Sequence, residues 1–104
     1  MKYFIALTNC EREQEALDRA CEVLKQGHSL ERIFFLKSAV ELGSHTKLFP
    51  QWQAIQTKNV ELILCSAALE RRELSSHPDE IFSAGGLGLY AEALIECDQV
   101  EHFG

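Results

Sequence analysis

The sequence predicts an α/β protein, a three-layer α/β/α sandwich on a mostly parallel sheet of about five strands. Short apolar runs of strand length alternate along the chain with segments whose apolar residues recur at helical spacing, which is typical of parallel sheets covered on both faces. The first run, residues 3–7, is apolar without interruption, as expected for a strand buried on both faces. The crossovers between strands should be right-handed.

The first half of the chain continues with a helix, a strand and a second helix. Residues 11–26 carry one apolar stripe, which is followed by Gly27 at the position of a helix C-cap. Residues 33–36 predict a second buried strand, and residues 37–46 have loop composition. The next helix begins near Pro50, because proline is tolerated in a first turn, and it places Phe49 and Trp52 in the core or an interface. The stripe of the first helix consists of Ala16, Leu17, Ala20, Cys21 and Leu24.

The second half of the chain completes the sheet. Residues 60–64 predict a third strand, which Cys65 follows directly, and residues 66–74 predict a short helix. The remaining segments are a turn at 75–78, a short strand at 80–83, a glycine-rich turn at 84–88, a helix to about Cys97 and a last strand at 99–103.

Composition limits the class of protein. The chain has 104 residues, 46% of them apolar and 25% charged, with a net charge of −6. This length predicts a single domain over residues 1–104 with a core of its own. No apolar run approaches the ~20 residues of a membrane span, and the N-terminus does not resemble a signal peptide, so we expect a cytoplasmic protein. The acidic balance argues against direct binding of nucleic acid.

The expected chemistry is that of a thiol. Reactive groups in open parallel sheets gather at the carboxyl ends of strands, where the N-terminus of the following helix favours an anion such as a thiolate. Cys10 and Cys65 both lie at such junctions. Glu11, Glu13 and Glu15 follow Cys10 and disfavour a second negative charge there, whereas small uncharged residues follow Cys65. Cys65 is therefore the better candidate for a reactive, approachable thiol, and a buried cysteine at a strand end is the alternative.

The other candidate features have mainly structural interpretations. Cys21 lies on the apolar stripe and should be buried, and Cys97, at the end of the last helix, should have a raised pKa. The glycine cluster at 85–88 either packs closely or cradles an anion, and it could form a wall beside Cys65. The sequence contains no CxxC motif and no cysteine near a histidine at ligand spacing, so we expect no metal site and no cofactor. All four histidines are expected at the surface.

One segment resembles a known active site. Residues 62–72, Leu-Ile-Leu-Cys-Ser-Ala-Ala-Leu-Glu-Arg-Arg, resemble that of the DsrE/TusD sulfurtransferase family, in which a buried strand runs into a cysteine, small residues and a basic helix. Residues 84–93 and 98–104 resemble the helix and strand that follow there, and the resemblance extends over essentially the whole chain. The chain departs from the family pattern in short segments at 9–13 and 38–48, and in Glu73, where the family often has glycine.

The resemblance implies a sulfur-relay sulfurtransferase that carries sulfane sulfur as a persulfide on Cys65. The relay would serve tRNA wobble 2-thiouridine synthesis in the TusD branch, or dissimilatory sulfur metabolism in the DsrE branch. It also implies sulfur donor and acceptor proteins as partners, and a hetero- or homo-oligomer with homologous subunits.

Three alternatives stay open. A non-catalytic homologous subunit would keep Cys65 buried and slow toward alkylating reagents. A thiol redox sensor would oxidise Cys10 or Cys65, and it needs a resolving thiol or a reversible sulfenic acid. A nucleotide-binding module has only the glycine cluster in its favour.

Overall fold

The computed structural model describes residues 1–44, 46–74 and 81–104. These residues form five strands, β1 (Lys2–Leu7), β2 (Ser29–Phe35), β3 (Glu61–Cys65), β4 (Phe82–Gly85) and β5 (Gln99–Phe103). Four α-helices separate them: α1 (Glu13–Lys25), α2 (Phe49–Gln56), α3 (Ser66–Arg71) and α4 (Leu87–Glu96). Two 3-10 helices, Cys10–Arg12 and Lys37–Gly43, follow β1 and β2. The turn predicted at 75–78 lies outside the described residues.

The strands form one sheet in the order β4-β3-β2-β1-β5, and every pairing is parallel. The prediction of a mostly parallel sheet of about five strands is therefore confirmed. The three central strands supply nine of the twelve largest fully buried side chains among the described residues, as the uninterrupted apolar runs predicted.

The helices are divided unequally between the two faces of the sheet. Trp52 of α2 packs edge-on against Phe35, with 5.3 Å between ring centroids, whereas Tyr90 of α4 packs at 5.5 Å against both Phe4 and Phe34 on the opposite face. Right-handed crossovers explain this division, because β1 to β4 follow one another in a single direction across the sheet and the connection to β5 runs back. We call the face that carries α1 and α2 the α1/α2 face, and the other the α4 face.

Two predicted boundaries were wrong. Residues 37–46, which have loop composition, include the 3-10 helix Lys37–Gly43 with Ala39, Val40 and Leu42 buried against the core. The last strand before α4 lies two residues later than predicted and takes in Gly85, so the glycine-rich segment is partly strand rather than turn. Glycine is a weak strand former, and only the pairing with β3 places it there.

The predicted burial of Cys21 was also wrong, because its thiol is exposed. Successive helix residues are rotated by about 100°, so Cys21 lies at the edge of the stripe centred on Ala20. Val23 takes the inward position instead and is fully buried. Trp52, in contrast, lies in the core as predicted.

Candidate active site

Cys65 lies at the carboxyl edge of the sheet, where a reactive group was predicted. It is the last residue of β3 and the N-cap residue of α3. The neighbouring strand β4 brings Gly85 beside it in register. Cys65 and Gly85 are twenty residues apart along the chain but are neighbours across the sheet.

The side chain of Cys65 belongs to the α4 face. Side chains alternate along a strand, so Cys65 shares a face with Ile63. A Cβ placed on Gly85 would lie 2.7 Å from Cγ2 of Ile63 and 2.8 Å from Cδ1 of Leu89 in α4, so these groups lie together on that face. The close-packing interpretation of the glycine cluster therefore holds for Gly85, which lies beside Cys65. Added Cβ atoms on Gly86 and Gly88 would meet nothing within 4 Å.

Two helices begin near this thiol. α3 has only six residues, and Cys65 as its N-cap makes no side-chain hydrogen bond to it. α4 has ten residues and begins two positions after Gly85, and its N-cap, Gly86, has no side chain to cap the free N–H groups. The N-terminus of α4 therefore lies on the same face and at the same edge as Cys65, where an anionic sulfur would be stabilised by the helix dipole.

Cys65 is nonetheless buried, with 4% of its surface exposed. This differs from the expectation of an approachable thiol. The 3-10 helix Lys37–Gly43 covers the other face of β3, where Gly43 packs tightly against Leu64. This 3-10 helix also packs against α3, and Arg72 and Glu41 form an ion pair of 3.6 Å between the two segments. The apolar residues at 39, 40 and 42 were the signal in the sequence for this layer.

Cys10 is at the same edge of the sheet but does not meet Cys65. β2 separates β1 from β3, so the two strands that lead to these cysteines are roughly 9–10 Å apart. The N–H of Cys10 donates to Oγ of Ser38, which follows β2, at 3.0 Å. All four cysteines are free.

The other titratable residues do not extend the site. Burial raises the pKa of the Cys97 thiol, with a smaller contribution from Glu31; the direction agrees with the prediction, but desolvation rather than the helix dipole is the main cause. His28 is half-buried against the Tyr3 ring, and His102 is exposed, while His45 and His77 lie outside the described residues. No group of metal-ligating side chains occurs among the described residues.

The fold and the site define this chain as a parallel α/β domain that bears a cysteine where a central strand meets a helix. Comparison with known proteins identifies the family. The model of the DsrE/DsrF-like family matches residues 1–103, and the chain belongs to that family.

Curated relatives agree with this assignment. Sulfurtransferase TusD of Salmonella arizonae is 30% identical over 128 aligned positions, which cover 99% of this chain and 100% of the relative. Sulfurtransferase TusD of Erwinia tasmaniensis is 32% identical over 105 positions, covering 81% and 82% of the two chains. The first alignment is longer than the 104 residues of this chain, so that relative contains segments which this chain lacks.

Solved structures show the same fold. The ychN protein from E. coli superimposes with a TM-score of 0.81 at 24% identity, covering 99% of both chains. A protein of unknown function from Methanobacterium thermoautotrophicum gives a TM-score of 0.82 at 10% identity, covering 96% of this chain and 97% of its own. Among the described residues, no helix is both long and apolar enough to cross a membrane.

Proposed function

We propose that this protein is a cytoplasmic sulfur-relay sulfurtransferase that carries sulfane sulfur as a persulfide on Cys65. The observation that carries the proposal is the position of Cys65, at the junction of a central strand and a helix in a chain that belongs to the DsrE/DsrF-like family. Its relatives are named sulfurtransferases. The sulfur is passed toward tRNA wobble 2-thiouridine synthesis, and the donor, the acceptor and homologous subunits are the protein partners.

The reaction is an exchange between thiolates and needs no cofactor. The Cys65 thiolate attacks the outer sulfur of the donor's persulfide, and a new S–S bond forms on Cys65. The donor's own S–S bond breaks, and its electron pair leaves with the donor cysteine as a thiolate. The thiol proton of Cys65 passes to that thiolate or to the medium. The acceptor thiolate then attacks the outer sulfur on Cys65 in the same way, so there is no net oxidation.

The surroundings of Cys65 suit an anionic sulfur that must be held and then released. Gly85 leaves no side chain beside the thiol on the neighbouring strand, and the uncapped start of α4 lies two residues beyond it. A persulfide is ionised at neutral pH and would be favoured by this positive helix end. Because Cys65 is buried, the donor must displace part of what covers it on the α4 face.

The burial of Cys65 also favours a second candidate, a non-catalytic homologous subunit. In that case Cys65 is a packing residue, and the family's sulfur carrier lies on another chain. The two candidates make opposite predictions about sulfur loading.

Mass spectrometry after sulfur loading separates the two candidates. The protein is incubated with a cysteine desulfurase, cysteine and a sulfur-shuttle protein, then alkylated, digested and mapped. We expect the mass of one sulfur atom on the Cys65 peptide, lost in Cys65→Ser and kept in Cys10→Ser. Cys21→Ser is the essential control, because Cys21 is the exposed thiol and would collect adventitious sulfur.

Loading of Cys21 alone, with a donor that loads a known acceptor, would overturn the persulfide proposal and favour the structural subunit. Cys65→Ala separates chemistry from packing. A variant that loses sulfur loading but melts at the same temperature as the parent would show that Cys65 carries the sulfur and is not needed for packing.

A further inference from the structure

Leu89 fills the space beside Cys65 on the α4 face. Gly85, the register partner of Cys65, has no side chain, and a Cβ placed there would lie 2.8 Å from Cδ1 and 3.9 Å from Cγ of Leu89. Register partners on neighbouring parallel strands point to the same face and lie about 5 Å apart. Leu89 therefore occupies the position that a side chain at residue 85 would take, next to the thiol.

The backbone of α4 is fixed at this point. Tyr90 packs against Phe4 and Phe34 of the sheet. Nη1 of Arg32, in β2, donates a hydrogen bond of 3.3 Å to the carbonyl oxygen of Leu89. Since both contacts hold the helix against the sheet, the freedom that is left to Leu89 is rotation of its side chain, which is fast compared with movement of a helix.

The surface next to Leu89 is open. The Leu89 side chain is partly buried, so one side of it already meets solvent. Gly86 and Gly88, in the first turn of α4, are exposed, and a Cβ added to either would meet nothing within 4 Å. A donor protein can therefore approach Leu89 over a stretch of helix with few side chains in the way.

We propose that Leu89 is the gate of the sulfur site. Its side chain covers the Cys65 thiol at rest, turns aside when the donor docks, and leaves the position beside Gly85 to the outer sulfur of the persulfide. Cys65 is 4% exposed, so the closed site has little room for an atom about 2 Å beyond the thiol sulfur. The gate also separates a loaded sulfur from small thiols in solution. This inference rests on the proposed function for the identity of the cargo, but not for the gating itself.

Alkylation kinetics test the gate without any sulfur transfer. Iodoacetamide is added to the native protein, and the rate at Cys65 is followed by peptide mapping. Leu89→Ala should raise this rate at least about tenfold. Leu89→Met keeps the volume but is unbranched and more flexible, so it should raise the rate about two- to threefold with a melting temperature near that of the parent.

Leu24→Ala is the matched control. It removes another partly buried leucine, from the α1/α2 face, and should leave the Cys65 rate within about twofold of the parent. A Cys65 rate that neither Leu89 variant changes, or that Leu24→Ala raises as much as Leu89→Ala, would overturn the gate even if Cys65 loads sulfur.

Retention of sulfur tests the protective role. After loading and removal of the donor, glutathione is added, and loss of the extra sulfur from the Cys65 peptide is followed. Leu89→Ala should lose it several-fold faster than the parent and Leu24→Ala, and equal rates would overturn this role. Fast alkylation of Cys65 in Leu89→Ala, with no sulfur loaded on Cys65 in any variant, would support the gate and overturn the persulfide proposal.

Discussion

Replacing Glu13 tests how α1 and α2 are held together beside the carboxyl edge of the sheet. Glu13 is the first residue of α1, and its Oε2 accepts a hydrogen bond of 2.7 Å from Nε1 of Trp52 in α2. The hydroxyl of Thr46 donates to the same oxygen. Trp52 is fully buried, so its indole N–H cannot form a hydrogen bond to solvent when the carboxylate is removed.

The expected magnitude follows from that geometry. A hydrogen bond to a charged group contributes about 1.5–3 kcal/mol, and an unsatisfied buried donor costs a similar amount. Since these are two descriptions of one loss, we expect Glu13→Ala to lower the free energy of unfolding by about 2–3 kcal/mol. For a domain of this length, that corresponds to a fall in the melting temperature of roughly 9–14 °C.

Trp52 supplies the assay, because it is the sole tryptophan of the chain. Its fluorescence reports unfolding by urea or heat without a label. Glu11→Ala is the matched control, since Glu11 is exposed and lies two residues before Glu13, and its replacement should change stability by less than about 0.5 kcal/mol. Glu13→Gln keeps an oxygen acceptor and should fall between the two.

Equal stability of Glu13→Ala and Glu11→Ala would refute the reasoning. So would a double-mutant cycle between Glu13→Ala and Trp52→Phe, followed by circular dichroism, that gave additive losses.

Three further predictions concern the glycine cluster and the thiols. Gly85→Ala should destabilise the protein by about 1–3 kcal/mol, because its Cβ would lie within 3 Å of Ile63 and Leu89. Gly86→Ala is the control: its Cβ would meet nothing within 4 Å, so this variant should melt within a few degrees of the parent. Alkylation of the native protein, mapped by mass spectrometry, should modify exposed Cys21 first and Cys65 far more slowly; equal rates would show that the cover over Cys65 opens freely. Cys97 should react slowly at pH 8, and its rate should keep rising above pH 9, because burial raises the pKa of Cys97 and leaves less thiolate at a given pH. A rate that levels off below pH 9 would contradict this cause.

The element order and the place of the reactive thiol were predictable from local patterns. An apolar run such as residues 60–64 is informative by itself, because a strand buried on both faces has apolar side chains at every position. The junction at Cys65 then follows from where that run ends. The exposure of Cys21 could have been predicted as well, from its rotation around the helix relative to Ala20.

Other properties depended on contacts between residues distant in sequence. The sequence by itself determined the alternation of strands and helices and the cysteine that ends β3, since both follow from neighbours along the chain. Only the tertiary structure decided that Cys65 is buried and that Gly85 and the start of α4 lie beside it. The physical reason is that burial and orientation are set by strand register and by the face on which each crossover lies. Both are fixed by packing across the sheet rather than by any local segment.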